Sequence, residues 1–165
     1  MGGKIIMGER VQLWVKDKTS ATPTCLAMAT SLSVEVSADA VDISSKDSGR
    51  WAASLLGKIS WTASASNLFT VADYSKLIDV MVANTPIEIV FATVKNYDTI
   101  TSGTTDAEGL YSGTPANWTS ADDMYHGKVI VNSVSLSANN GEVATFDASF
   151  TGVGPLIKGG ITPSK

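Results

Sequence analysis

Side chains able to do acid–base, nucleophilic or metal chemistry are few in this chain, and their spacing does not bring them together. It has one histidine, His126, between Tyr125 and Gly127, and one cysteine, Cys25. A two-histidine metal site and an internal disulfide are therefore impossible, and any histidine-based triad must run through His126. The serines are too numerous to single out a nucleophile, so His126 reads as a packed or solvated residue at a strand entrance rather than a general base. Cys25, next to Leu26 and close to Met28, reads as a small buried hydrophobe. Asp122 and Asp123 lack the spaced carboxylates and fixed glycine of a calcium loop and read as a solvated acidic turn. Gly152 and Gly154 lack the third glycine and the helix of a dinucleotide fingerprint, and read as a turn closing the last strand. Asn117, Trp118 and Thr119 spell a glycosylation acceptor, but the apolar stretch Ile5 to Met7 is too short for the core of a signal peptide. No catalytic residue, metal ligand or cofactor is nominated, and an enzyme is the class least supported.

What remains is binding or structure. Trp14, Trp51, Trp61 and Trp118 could form a sugar-binding platform on a β-sandwich, which makes a carbohydrate-binding module one reading. Against it, Trp61 is in phase with the apolar Ile59 and Ala63, while Trp51 follows the charged stretch Lys46 to Arg50 and suits a subunit contact. Twelve Lys and Arg against 16 Asp and Glu give a net charge of −4, the wrong sign for a protein that grips phosphates. No run is long enough to span a bilayer as a helix, so no membrane partner is expected.

The elements that would position these residues are mostly strands. In the 165-residue chain, short alternating segments bounded by Gly, Asn, Asp and Pro fit one antiparallel domain over 1–165. Val11, Leu13 and Val15 alternate with polar or aromatic neighbours. So do Leu32, Val34 and Val36, then Ile59, Trp61, Ala63 and Ala65. Val129 to Ser137 and Glu142 to Thr151 flank Asn139, Asn140 and Gly141, a strong hairpin signal. One segment changes period: Val71, Tyr74, Leu77, Ile78 and Met81 recur at helical spacing, with Thr70 and Asp73 placed to cap and Asn84 to Pro86 placed to stop. Residues 96–126 form a long loop holding five acidic residues and no Lys or Arg. Residues 158–165, with Gly159, Gly160 and Pro163, read as a mobile tail.

Taken in order, several segments resemble the major tail tube proteins of siphophages, particularly those of phages and prophages of gut Bacteroidetes. They are the strand Arg10 to Lys16; Ala27 to Ser31 leading into Leu32 to Val36; Ser44 to Gly49; Gly57 to Ser64; the helix with Leu77 and Met81; and Phe150 to Gly154. The resemblance implies a β-sandwich with one flanking helix, assembled as stacked hexameric rings in which each subunit lends strands to an inner barrel. It also implies partners: further copies of the chain, a tape measure protein, tail terminator and initiator proteins, and double-stranded DNA passing through without specific binding. The expected location is the virion tail, assembled in the host cytoplasm. A tube subunit of a contractile injection or secretion system is the alternative within this class.

Two surfaces follow as expectations. Ser37 to Leu56 mixes charges of both signs with Trp51, Leu55 and Leu56, and reads as a stacking loop through Ser44, Ser45, Lys46, Asp47, Arg50 and Trp51; a solvated loop folded over its own domain is the plainer alternative. The polar phases of four strands collect Ser33, Glu35 and Ser37; Ser60, Thr62 and Ser64; Ser133, Ser135 and Ser137; and Thr145, Asp147, Ser149 and Thr151. An outer surface normally mixes long charged side chains. A face of hydroxyls and sparse carboxylates either simply suits exposed strands or suits a channel lining, along which phosphates stay hydrated and are weakly repelled.

Overall fold

The computed structural model describes residues 7–16, 23–26, 29–93, 104–105, 111–112 and 125–159. Its strands are β1 (Val11–Lys16), β2 (Thr24–Cys25), β3 (Ala29–Asp42), β4 (Ser54–Leu68), β5 (Ile87–Thr93), β6 (Thr104–Thr105), β7 (Tyr111–Ser112), β8 (Tyr125–Ser137), β9 (Thr145–Gly152) and β10 (Ile157–Lys158). The helix α1 (Val71–Val82) lies between β4 and β5. Eight strands make one antiparallel sheet in the order β2-β1-β5-β8-β9-β4-β3, with β10 added beside β8; β6 and β7 pair separately. The architecture is thus mainly β with one helix, and the expected sandwich takes the form of a single sheet. β1 and β3, near opposite ends of the strand order, approach each other, and residues from β1, β3, β4, β5, β8 and β9 share one core.

Alternation decides which side chains enter that core. Leu13 and Val15, Trp61, Ala63 and Ala65, Ile87 and Ile89, Val129 and Val131, and Phe146, Ala148 and Phe150 are all buried in it, with Leu32 and Val34 packed against it. Helix α1 contributes Leu77, with Tyr74, Val80 and Met81 at its margin. Thr70 caps it as its spacing predicts: the hydroxyl accepts from Asp73 N at 3.3 Å and donates to Asp73 Oδ2 at 2.5 Å. At the other end Asn84 takes a φ of 49° before Pro86, which ends the helix.

Where the pattern misleads, a bulge or a turn is the reason. Between the pairs Ala38↔Ile59 and Ala40↔Leu56, β4 spends one more residue than β3. Gly57 lies there because a Cβ would stand 3.1 Å from the Asp39 carbonyl oxygen. The slip hides the alternation beyond Ser37, which reads as loop in sequence yet continues as strand to Asp42. At the β8–β9 hairpin, positive φ occurs at Gly141 but not Asn140, and Glu142 N bonds Asn139 O at 3.2 Å. A two-residue turn with both φ values positive is therefore absent, and β9 starts at Thr145 rather than Glu142.

The ends of the chain differ from expectation too. Lys158, placed in the tail, pairs with Tyr125, and Gly159 O lies 3.1 Å from His126 Nδ1, so His126 is packed and not solvated. Cys25 is half-buried rather than buried, its thiol near Gln12 Oε1 at 3.7 Å. Of the acidic loop 96–126, Thr104–Thr105 and Tyr111–Ser112 are strands and Tyr125 and His126 begin β8. Trp118, Asp122, Asp123 and residues 160–165 lie outside the described residues.

Candidate functional site

Two regions built on the same pair of strands stand out. The first is a four-strand panel, β8-β9-β4-β3, whose face opposite the core is set by register. Its pairs form transverse rows: Ser135, Asp147, Ser66 and Ser31; then Ser133, Ser149, Ser64 and Ser33; then Thr151, Thr62 and Glu35; then Ser60 and Ser37. Ser137 and Thr145 extend it at the hairpin end. Neighbouring hydroxyls bond across strands, Ser133 to Ser149 at 2.7 Å and Ser37 to Ser60 at 3.1 Å. Ser66 donates to the Asp147 carboxylate and the Asn132 amide donates to Thr151 Oγ1. Ser33, Glu35, Ser60, Thr62, Ser64, Ser135 and Asp147 are exposed, while Thr145, Ser149 and Thr151 are half-buried.

Every residue proposed for the polar face from sequence therefore lies on one continuous surface. Between Ser31 and Ser37, Ser60 and Ser66, Ser133 and Ser137, and Thr145 and Thr151, that face carries no Lys, Arg or aromatic ring. Its borders are less pure, with Ile130 beside Thr151 and Leu68 beside Thr145. Three members escape the sequence reading. Ser66 continues the alternation of Ser60 to Ser64 and was legible in principle. Ser31 and Asn132 were not, because bulges at Thr30 and Asn132 shift the phase just there.

The second region is an arm. β4 pairs with β9 only from Thr62 to Leu68, whereas β3 and β4 stay paired out to Asp42 and Ser54. A two-stranded ribbon with a tip at 43–53 therefore projects beyond the panel. The expected stacking loop is a loop at this tip and strand along residues 37–42 and 54–56, a correction that follows from the bulge at Gly57. The tip is organised by hydrogen bonds from backbone N–H groups to backbone and side-chain oxygens. Ile43 N reaches Ala53 O at 2.9 Å, Ala53 N reaches Ser44 Oγ at 2.9 Å, and Ser44 N reaches Asp42 Oδ1 at 2.8 Å. Bonds from the Ser44 side chain and then its backbone hold the Asp42 carboxyl below its ordinary value of 3.8. Asp47 N reaches Ser45 Oγ at 3.3 Å, and Lys46 to Ser48 form one 3-10 turn before Gly49, with a φ of 66°.

Among its exposed residues the arm presents seven large apolar side chains. Trp51 is 85% exposed, Leu56 71%, Ile59 63% and Val36 54%, with Val41, Ile43 and Leu55 about as open. Lys46 and Arg50 precede Trp51 in sequence and are exposed. A lone two-stranded ribbon is marginal in water, and scattered single apolar residues need no explanation, but seven large ones on one projection do.

Among the described residues no three His, Cys, Asp or Glu converge as metal ligands, and no helix is long and apolar enough to cross a membrane. Among the described residues the arrangement offers a polar face, two sheet edges open at β3 and at β8 beyond Val129, and an arm with exposed apolar side chains.

Comparison with known proteins gives these features a context. Residues 6–158 match the model of a family described as phage tail tube protein. Among solved structures, a chain from the tail of an empty gene transfer agent particle, refined with helical C6 symmetry, superposes with a TM-score of 0.71 at 15% identity, covering 94% of this chain and all of that one. A chain from the virion of a native gene transfer agent gives 0.65 at 14%, with the same coverage. The SPP1 tail tube gives 0.67 at 12%, covering 96% of this chain and 82% of that one. At these identities the likeness is one of fold. No curated protein sequence matches the chain.

Proposed function

The chain belongs to the phage tail tube protein family and is a structural subunit of a tail tube, and we propose that its copies close edge to edge into hexameric rings whose lumen is the hydroxyl panel. The observation that carries this is the panel's pair of open edges. Among the described residues, β3 pairs only with β4, and β8 beyond Val129 pairs only with β9. Free edges are usually blunted by Lys, Pro or a covering element, yet Ser31 to Asp42 holds no Lys, Arg or Pro. Because the order β8-β9-β4-β3 alternates in direction, the β8 of a second copy meets β3 antiparallel, and the contact is head-to-tail, the kind that closes into a ring. Six copies give about 24 strands, beyond the roughly 16–18 at which a closed sheet leaves an open channel. With strands about 4.8 Å apart and tilted about 40°, the wall spans roughly 45–50 Å between opposite backbones.

The lining then acts on DNA by what it lacks. Lysines or arginines would displace counterions and hold the duplex, whereas Ser33, Ser60, Thr62, Ser64, Ser135, Thr145 and Ser149 present small neutral groups, and Glu35 and Asp147 repel phosphate. Stacking uses the arm, with Trp51 and its neighbours burying against the adjoining ring and Lys46 and Arg50 meeting its acidic groups. A tape measure protein inside, terminator and initiator proteins at the ends, and a noncontractile tail of a Bacteroidetes phage or prophage complete the reading. These finer assignments rest on the sequence resemblance. Negative-stain microscopy of the concentrated protein tests it: rings or tubes are expected, and a persistent monomer at every concentration would count against self-assembly.

A further inference from the structure

The arm leaves the panel at Trp61, and the way that indole is held is unusual. Trp61 is 3% exposed while Ile59, two residues further out on the same face, is 63% exposed. Its ring lies on the backbones of Gly152 at the end of β9 and Gly127 near the start of β8. A Cβ added to Gly152 would stand 2.2 Å from Trp61 Cε2, and one added to Gly127 would stand 2.5 Å from Cζ2. Both strands thus give up a side chain where the ring crosses them, and close approach of this kind is a reason for glycine in a strand.

The ring's one polar atom points to a different segment. Trp61 Nε1 donates to Gly154 O at 3.1 Å. Residues 153–159 run as a strap along β8 in continuation of β9. Val153 N bonds Lys128 O at 2.7 Å, Ile157 and Lys158 pair with His126 and Tyr125, and His126 Nδ1 lies 3.1 Å from Gly159 O. Through this bond Trp61 connects the strap to the arm's base.

We propose that the strap and Trp61 form one latch that fixes how the arm departs from the sheet, so that the seating of residues 153–159 governs the arm. With the strap in place, the Gly154 carbonyl and the two glycine backbones leave the indole one position. With the strap displaced, the Nε1 partner is lost, the ring is free to tilt, and the β3–β4 ribbon loses its fixed point. A contact made near the chain's last described residues would thereby reach the arm tip through two elements. The latch itself does not depend on the tail tube reading. Its consequence, that strap seating sets ring-to-ring contact, rests on that reading.

The test uses the full chain in its unassembled form, with hydrogen–deuterium exchange followed by mass spectrometry. Ile157→Pro removes a strap donor without touching the arm; Trp61→Phe keeps a ring and removes its donor. Each is expected to speed exchange at residues 36–42 and 54–60 by about tenfold or more, leaving residues 145–151 at the parent rate. Faster exchange confined to the strap and to residues 125–128 in Ile157→Pro would overturn the latch. If Trp61→Phe unfolds, as near-ultraviolet circular dichroism would report, Ile157→Pro alone decides. Tube formation by the same variants is scored separately: a loosened arm with normal tubes would sink the assembly consequence and leave the latch standing.

Discussion

The inner and outer halves of β3 and β4 are one pair of strands under two regimes. From Ser31 to Val34 and from Trp61 to Ser66 the pair has a covered apolar face, closed by β9, β8 and the helix, and an opposite face of short hydroxyls. Beyond Val36 and Ile59 the large apolar residues continue but stand about half exposed or more. The contrast separates two kinds of burial. One is completed when the chain folds; the other, on the proposed stacking of rings, is left to the contact between chains, where large hydrophobes matter more than area alone.

The change that should separate the regimes most is at the arm tip. Lys46→Glu combined with Trp51→Ala is expected to abolish tube growth, with at least a hundredfold fewer tubes at equal protein, while circular dichroism and thermal midpoint stay at parent values because neither side chain is part of the core. Normal tubes from that double variant would make the tip a solvated loop. A smaller effect is expected at the panel. Glu35→Lys with Asp147→Lys should leave tubes intact and slow genome ejection severalfold, more at low salt, where phosphate attraction is less screened. Ejection kinetics in a complemented phage measure it, and parent rates would remove these two residues from the lumen. The smallest effect is at the Asp42 turn. Its carboxyl is held below the ordinary value by Ser44, so its contribution to the tip is present above the usual carboxylate range and is lost as pH falls through the lowered value. Amide shifts of Ser44 and Ala53 followed from pH 6 to about pH 2 should move together late in the titration, and Asp42→Asn should remove that transition.

How much of this was legible in the sequence follows the same division. On the panel, alternation is unbroken from Ser60 to Ser66, and residue type agrees with face, so the shared hydroxyl face could be read directly. Along the arm, the extra residue at Gly57 breaks the period, so strand reads as loop, while Trp51, Leu55 and Leu56 stand out by residue type and are exposed. Alternation assigns a face but not a chemistry. Asn67 stands in the core phase of β4 fully buried, with neither amide atom bonded to a protein group, a placement its type alone argues against. The strap was invisible because Ile157 and Lys158 pair over long range with β8 and lie among the glycines and proline that mark a tail. Trp61 was placed in the core on phase, but its glycine seats come from two strands distant in sequence.

The most direct test of the central claim is a helical reconstruction of the assembled tube at side-chain resolution. The expected map has Ser33, Ser64, Ser149 and Ser133 in one row on the lumen wall, β3 hydrogen-bonded to the β8 of the next subunit in the ring, and Trp51 buried against the adjoining ring. A map with that hydroxyl row on the outer surface, or with β3 and β8 both unpaired at the subunit boundary, would contradict it.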